Sequence, residues 1–232
     1  MKQKIVVFSG AGISAESGIQ TFRDGDGLWE NHDIQQVATP EAWSKNPKLV
    51  LDFYNERRKQ VLSAKPNEAH QSLVLLEQFF DVQIITQNID DLHERAGSTK
   101  VLHLHGEILK AQSTFDGTLY DWNKSKLSLG DKCPKGYQLR PHVVWFGEPV
   151  PNMVTASNCC EGVDFLIVIG TSLNVYPAAN IINFVSEDCK KYLIDPKIPQ
   201  SFIGNNIQRI EKKASEGVVE LVNRLLSLKE NV

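Results

Sequence analysis

A chain of 232 residues that is 41% hydrophobic and 23% charged can bury a full core, which fits one large domain with an inserted lobe and excludes wholesale disorder. Its 25 basic residues face 28 acidic ones; a net charge of −3 gives no electrostatic footprint for nucleic acid. No apolar run approaches the ~18 residues that would span a membrane. The four cysteines (Cys133, Cys159, Cys160 and Cys189) form no spaced pairs, and Met1–Lys4 leads into a strand without a signal-type apolar region, so reduced thiols in the cytoplasm are expected.

The first predicted element is a buried strand, Ile5–Phe8. It runs into Gly10-x-Gly12-x-x-Ala15, the pattern of a dinucleotide-binding turn. In that pattern the first glycine permits the tight turn and the second lets backbone approach a pyrophosphate. The small third residue lets a helix pack close, its N-terminus offering free N–H groups to phosphate. A small-residue turn also serves plain packing. A dehydrogenase would next supply a second strand and an acidic ribose ligand about 20 residues on. Thr21–Trp29 is instead a polar, glycine-rich loop with two aromatics, expected to act as a lid and arguing against hydride transfer.

Beyond the lid, Thr39, Pro40 and Glu41 read as N-cap, N1 and first turn of a helix. A second helix is expected over Leu49–Leu62, with Val50, Phe53, Tyr54 and Val61 at helical spacing. A third is expected over Glu68–Phe80, with Ala69, Leu73, Leu76 and Phe80 on one face. Val82–Thr86 and Val101–His105 read as strands, and Ile108–Gln138 as an irregular lobe. The sheet is expected to resume at Val143–Phe146, followed by Phe165–Ile169 and Tyr192–Pro196, with a closing helix over Ser215–Leu228 capped by Ser215. The alternation implies an α/β fold, a Rossmann-like doubly wound parallel sheet. On this division 1–30, 68–107 and 141–232 form the nucleotide-binding domain. The segments 31–67 and 108–140 form the smaller lobe. Polar clusters at Gly10–Ser14, Gln87–Asp90, His105-Gly106 and Gly170–Ser172 fall at strand carboxyl ends, where ligands of such sheets bind.

Gly10-Ala11-Gly12-Ile13-Ser14, Thr21-Phe22-Arg23, Thr86-Gln87-Asn88-Ile89-Asp90, His105-Gly106-Glu107, Arg140–Glu148 and Gly170-Thr171-Ser172 follow one another in order. Together they resemble the sirtuins, NAD-dependent protein lysine deacylases, over nearly the whole chain. Phe53–Arg58 and Leu139–Glu148 resemble the bacterial desuccinylase-type subgroup in particular. The resemblance implies an NAD site of Gly10, Ala11, Gly12, Ser14, Glu16, Phe22, Arg23, Trp29, Gln87, Asn88, Ile89, Asp90, His105, Gly170, Thr171, Ser172, Asp195 and Ala214. The lid pair Phe22 and Arg23 would shield the reacting ribose from water. Asn88 would contact ribose and position a water, and Asp90 would sit in the nicotinamide pocket. The plainer reading of Asn88 and Asp90 is an Asx-type turn capping the next helix.

His105 would be the base that deprotonates a ribose hydroxyl, since histidine titrates near neutral pH without special tuning. On residue type alone it could equally be a hydrogen-bonded strand-end histidine. Acylated protein lysines would be the partner, with Val144, Trp145, Phe146, Gly147 and Glu148 forming the edge against which an extended peptide pairs. Tyr54 and Arg57 share a helical face at i and i+3. The subgroup resemblance makes them the grip on the distal carboxylate of a succinyl or malonyl group, a task suited to arginine's fork. Arg57-Arg58-Lys59 could otherwise be a solvated basic face.

Two departures from the family stand out. Most sirtuins hold a four-cysteine zinc site in the lobe, where structural zinc takes two close cysteine pairs. Here the lobe has only Cys133, so no structural zinc is expected and Phe115, Trp122 and Tyr137 are expected to hold it. His103-x-His105 would give two metal ligands without a third. An asparagine that touches the adenosine ribose is missing near Leu193, leaving Asp195 or backbone to replace it. Competing readings are ADP-ribosyl transfer or NAD hydrolysis, a non-catalytic NAD- or ADP-ribose-binding module, and, least favoured, a dehydrogenase.

Overall fold

The structure, a computed structural model, describes residues 2–21, 28–29, 32–122, 124–171, 173, 175–198 and 206–230. In chain order its elements begin with β1 (Lys4–Ser9), β2 (Leu28–Trp29), β3 (His32–Asp33), α1 (Ile34–Val37), α2 (Pro40–Lys45), α3 (Pro47–Ser63) and α4 (Glu68–Leu76). There follow β4 (Asp81–Thr86), α5 (Leu92–Ala96), β5 (Val101–His103), β6 (Gly106–Ser113), β7 (Leu119–Asp121) and β8 (Leu139–Val143). The last are α6 (Met153–Cys159), β9 (Phe165–Ile169), β10 (Lys190–Ile194), β11 (Ile207–Ile210) and α7 (Ala214–Glu230).

Six strands form one parallel sheet in the order β11-β10-β9-β1-β4-β5. The chain therefore builds outward from β1 in one direction, then returns to build outward in the other. The crevice at this reversal lies beyond the carboxyl ends of β1 and β9. Both faces are covered, as an apolar parallel strand requires. Ile5 and Val7 of β1 pack with Leu73 of α4 and Val218 and Leu221 of α7. Val6 and Phe8 face the opposite way, onto Ala156 of α6 and Ile181. Among the described residues no helix is long and apolar enough to cross a membrane.

Local capping decides where the helices begin. Thr39 accepts from Ala42 N, as its sequence predicts, and Asn46 and Asn67 do the same for α3 and α4. Helix α7 starts one residue before the expected cap, so Ser215 lies inside its first turn. Its N–H and hydroxyl both donate to the Glu16 carboxylate, at 2.9 and 2.8 Å.

The lobe differs more from expectation. The segment read as irregular contains all but the first two residues of the eight-residue strand β6, which pairs with β7 and β8 in a three-stranded antiparallel sheet. The main sheet does not resume at Val143. Leu139–Val143 belongs to this small sheet, and the chain leaves strand geometry at Val144. Phe115 and Tyr137 stack 4.2 Å apart, yet are 57% and 45% exposed, so this pair does not form the lobe's interior. That interior is Leu51, Ala111, Leu127, Cys133 and Leu139, with Trp122 packed against it. All four cysteines are free, and among the described residues no group of three or more His, Cys, Asp or Glu could hold a metal.

Candidate active site

The floor of the crevice is where two backbone turns meet. Gly10 N donates to Ile169 O and Gly12 N to Gly170 O, both at 2.9 Å. A Cβ on Gly12 would stand 2.6 Å from Gly170 Cα, and one on Gly170, whose φ is +59°, 2.5 Å from Ile13 N. These glycines are thus fixed by the approach of one turn to the other. Their amides are engaged in these turns, so what Gly10 and Gly12 present to the cavity is bare backbone surface rather than free N–H groups. The expected helix is also absent: Ala11–Ile13 and Ala15–Ser17 are two short 3-10 turns, the second closed by Gly18 at φ +86°. Such turns offer no aligned dipole.

The segment after β4 supplies one wall. Asn88 donates both amide hydrogens inward, to Gly10 O and Ser14 Oγ at 3.2 Å each. What Asn88 leaves for the crevice is its acceptor Oδ1. Its own N–H donates to Thr86 Oγ1, which also receives the Ser9 hydroxyl; Ser9 in turn meets His93 Nε2 at 2.9 Å. Asp90 accepts from Leu92 N and from Ser14 Oγ, so the Asx-type turn is formed, by a side chain that also lines the crevice. Burial pushes the Asp90 carboxyl up, and those two donors pull it only part of the way back. Gln87 reaches across to Thr171 Oγ1 at 2.9 Å.

His105 follows β5. Its Nδ1 lies 3.1 Å from Gln87 O. A carbonyl can only accept, so Nδ1 carries the proton and Nε2 keeps its lone pair. Burial lowers the pKa of this ring, partly opposed by the Gln87 carbonyl, so it is neutral at pH 7. Gly106 turns the chain at φ +84°, where a Cβ would run into the His142 carbonyl. His103, two residues earlier, has both ring nitrogens engaged and no lone pair for a metal.

Opposite this wall, Val144–Glu148 is held as a loop. Arg140 forks onto Glu148 at 2.7 and 2.9 Å, donates to Val143 O and lies 3.4 Å above the Trp145 ring. Trp145 N donates to the same carboxylate, and Phe146 N to Ala38 O. Tyr54 and Arg57 of α3 are 1% and 5% exposed, which rules out the solvated-face reading of Arg57. Burial raises the Tyr54 phenol, opposed by Trp145, Arg140 and Arg57. Arg58 is buried as well, its guanidinium donating to Trp122 O and its pKa lowered to about 10 by burial.

One cavity of about 730 Å³ unites these groups, within the ~300–1,000 Å³ of small-molecule sites. It is lined by Gly10, Ala11, Gly12 and Glu16, by Gln87–Asp90, His105, Gly170 and Thr171, by Asp195 and Ala214, and by Tyr54, Arg57 and Val144–Glu148. Ser14 lies just behind it, wholly buried. Phe22, Arg23 and Ser172 lie outside the described residues, as does the Trp29 side chain. Lys197 and Lys213 also line the cavity and had no motif to announce them. The polar lining fits a dinucleotide: Asn88 Oδ1 and the Asp195 carboxylate can accept from ribose hydroxyls, and two lysines stand near Asp195 and Ala214 for phosphate charge.

Comparison with known proteins gives a matching result. The model of the Sir2 family matches residues 10–177. The chain is 51% identical to an NAD-dependent protein deacylase of Helicobacter pylori over 97% of its own length and 99% of the relative's. It is 49% identical to another of the same name from Bacteroides thetaiotaomicron, covering 97% and 98%. A solved Sir2 homologue in complex with NAD superposes with a TM-score of 0.88 at 39% identity, covering 98% of this chain and 91% of that one. A Sir2 homologue variant with 2′-O-acetyl ADP-ribose gives 0.87 at 38%, covering 98% and 93%.

Proposed function

The chain belongs to the Sir2 family, and from that premise we propose that it removes acyl groups from protein lysines, consuming NAD and yielding nicotinamide and O-acyl-ADP-ribose. The observation that carries this reading is His105, its Nδ1–H tied to Gln87 O while the ring lines the same cavity as Asn88 and Asp90. The dinucleotide supplies an activated glycosidic bond. The chain supplies a neutral imidazole to take a proton from a ribose hydroxyl, and an Asn88 carbonyl oxygen to orient ribose or water. Asp90 faces the nicotinamide end, and the Val144–Glu148 loop takes the peptide. This work divides between the segments 1–30, 68–107 and 141–232, which hold NAD, and 31–67 with 108–140, which carry the acyl grip.

Succinyl and malonyl groups are the preferred acyl cargo on this reading. Tyr54 and Arg57 support it, because a buried guanidinium on the cavity wall suits a distal carboxylate. Free cysteines support a cytoplasmic site of action, and the net charge of −3 supports substrates other than nucleic acid. The test is incubation with NAD and matched acetyl-, succinyl- and malonyl-lysine peptides, with nicotinamide and deacylated peptide measured together. Arg57→Met should cut desuccinylation far more than deacetylation; equal losses would refute the acyl preference. Nicotinamide release at full rate without any peptide would replace deacylation with NAD hydrolysis.

A further inference from the structure

We propose that His103 is a positioning residue for the reaction: a charged imidazolium, held by Glu94, whose Nδ1–H fixes the Asn88 peptide and thereby the loop that presents Asn88 and Asp90 to NAD. The assignment rests on the reading of the cavity as an NAD site. Its geometry is two short bonds from one buried ring. His103 Nδ1 lies 2.8 Å from Asn88 O and Nε2 lies 2.8 Å from Glu94 Oε1. Both partners are acceptors, so both nitrogens must donate, and a ring that donates twice is protonated. The ring is 8% exposed, while Asn152 Nδ2 fixes the His103 carbonyl from behind.

Charged groups converge on this ring from several elements. Glu94 of α5 and Glu107 of β6 favour the charged form. Burial opposes it, yet the Glu94 bond and charge and the Asn88 carbonyl leave the pKa above its ordinary value. Asp90 is stabilised as a carboxylate by the same charge, whereas the neighbouring rings of His93 and His142 are disfavoured from protonation by it.

Deprotonation has a directional consequence. With one proton left, the ring must choose between the Glu94 carboxylate and a neutral carbonyl. The charge-assisted bond is the stronger one. The proton therefore stays on Nε2, Nδ1 turns a lone pair toward Asn88 O, and the clamp fails. A glutamine at 94 would reverse this choice. Its amide can donate to Nε2, so a neutral ring keeps its proton on Nδ1 and holds Asn88 at any pH.

Three readouts test the proposal on the full-length protein. In 15N-histidine-labelled protein, His103, assigned by its loss in His103→Ala, should show both ring nitrogens protonated at pH 7, with the proton lost only above the ordinary imidazole value of ~6.5. In deacylation assays the KM for NAD should rise through the same titration, with kcat changing little. His103→Ala should raise that KM by about tenfold at pH 7, as expected for a lost charge-assisted bond. Glu94→Gln should flatten the pH dependence of KM. A singly protonated ring at pH 7, a His103→Ala KM within about twofold of wild type, or an unaltered pH limb in Glu94→Gln would each overturn the assignment. Absence of any NAD-dependent turnover in the wild type would instead remove the cofactor reading, and the nitrogen spectra would still decide the state of the ring.

Discussion

The crevice floor and the small lobe both bury networks of polar side chains, yet these networks serve different ends. In the crevice, Ser9, Ser14, Thr86, Asn88 and Asp90 bond to one another behind a cavity, and acceptors are left facing into it. In the lobe the same chemistry closes on itself. Asn55 of α3 exchanges two bonds with the Leu127 backbone, at 3.0 and 2.8 Å. Gln138 Nε2 donates to Ser128 O, Asp131 O and Leu139 O, while its Oε1 accepts from Gly130 N. A single amide thus ties together the turns of a lobe that in most sirtuins holds a zinc site. The difference teaches that a buried polar network is a sign of function when it leaves an open valence at a cavity, and of scaffolding when every valence returns to backbone.

The sharpest way to break that comparison is to remove the open valence itself. His105→Ala should lower deacylation by about 10²–10⁴, the range for a lost general base, while melting temperature and NAD affinity change little. The pH profile carries a sign that can be checked. The base works only when neutral, and burial holds its pKa below the ordinary imidazole value. Wild-type turnover should therefore persist into mildly acidic solution where a free histidine would already be half protonated, and fall below that. An acid limb centred above ~6.5 would mean that another group controls the rate. On the scaffold side the largest effect is expected at Leu127, fully buried in the lobe core. Leu127→Ala should cost about 2–5 kcal/mol of stability in thermal or denaturant unfolding, with the NAD KM of the folded fraction unchanged.

How much of this could be read in advance follows the same divide. Five of the six parallel strands were legible because buried strands are continuous apolar runs, as in Phe165–Ile169, whereas the edge strand β11, with two exposed positions of four, was not. The cavity residues were legible because short motifs sit at strand ends, and the described ones gather around one cavity or lie just behind it. What could not be read is whatever depends on a distant partner. Nothing local in Glu16 says that it caps α7, 199 positions away. Nothing in Arg140 says that it will fork onto Glu148 and shape the loop between them. The glycines were legible as necessary, but the reason was not. Gly12 yields space to Gly170, from the opposite side of the crevice. Strand β6 was missed because its alternation is interrupted, the register shifting between Gly106 and Ala111, so period-two patterning fails there.

The two smallest predictions concern what holds the lobe. The sequence suggests its aromatic residues; the structure points to Gln138. Removing this amide would strip Gly130 N of its partner and take one donor from each of three carbonyls, of which Ser128 O and Asp131 O keep the N–H groups of Asp131 and Leu139. Gln138→Ala should therefore cost about 1–3 kcal/mol, from several hydrogen bonds of modest net worth lost together. Phe115→Ala removes a stacked pair that is largely in water, together with the Lys135 ammonium 5.6 Å from the ring. A surface aromatic pair contributes about 0.5–1.5 kcal/mol at most, and exposure places this one at the low end. Chemical denaturation of both variants in parallel settles the order. If Phe115→Ala proved the more damaging, the lobe would be held from its surface and the polar cross-link would be incidental. With Gln138 dominant, the lobe's stability should also be indifferent to chelators, because an amide bonded to backbone has no metal to lose.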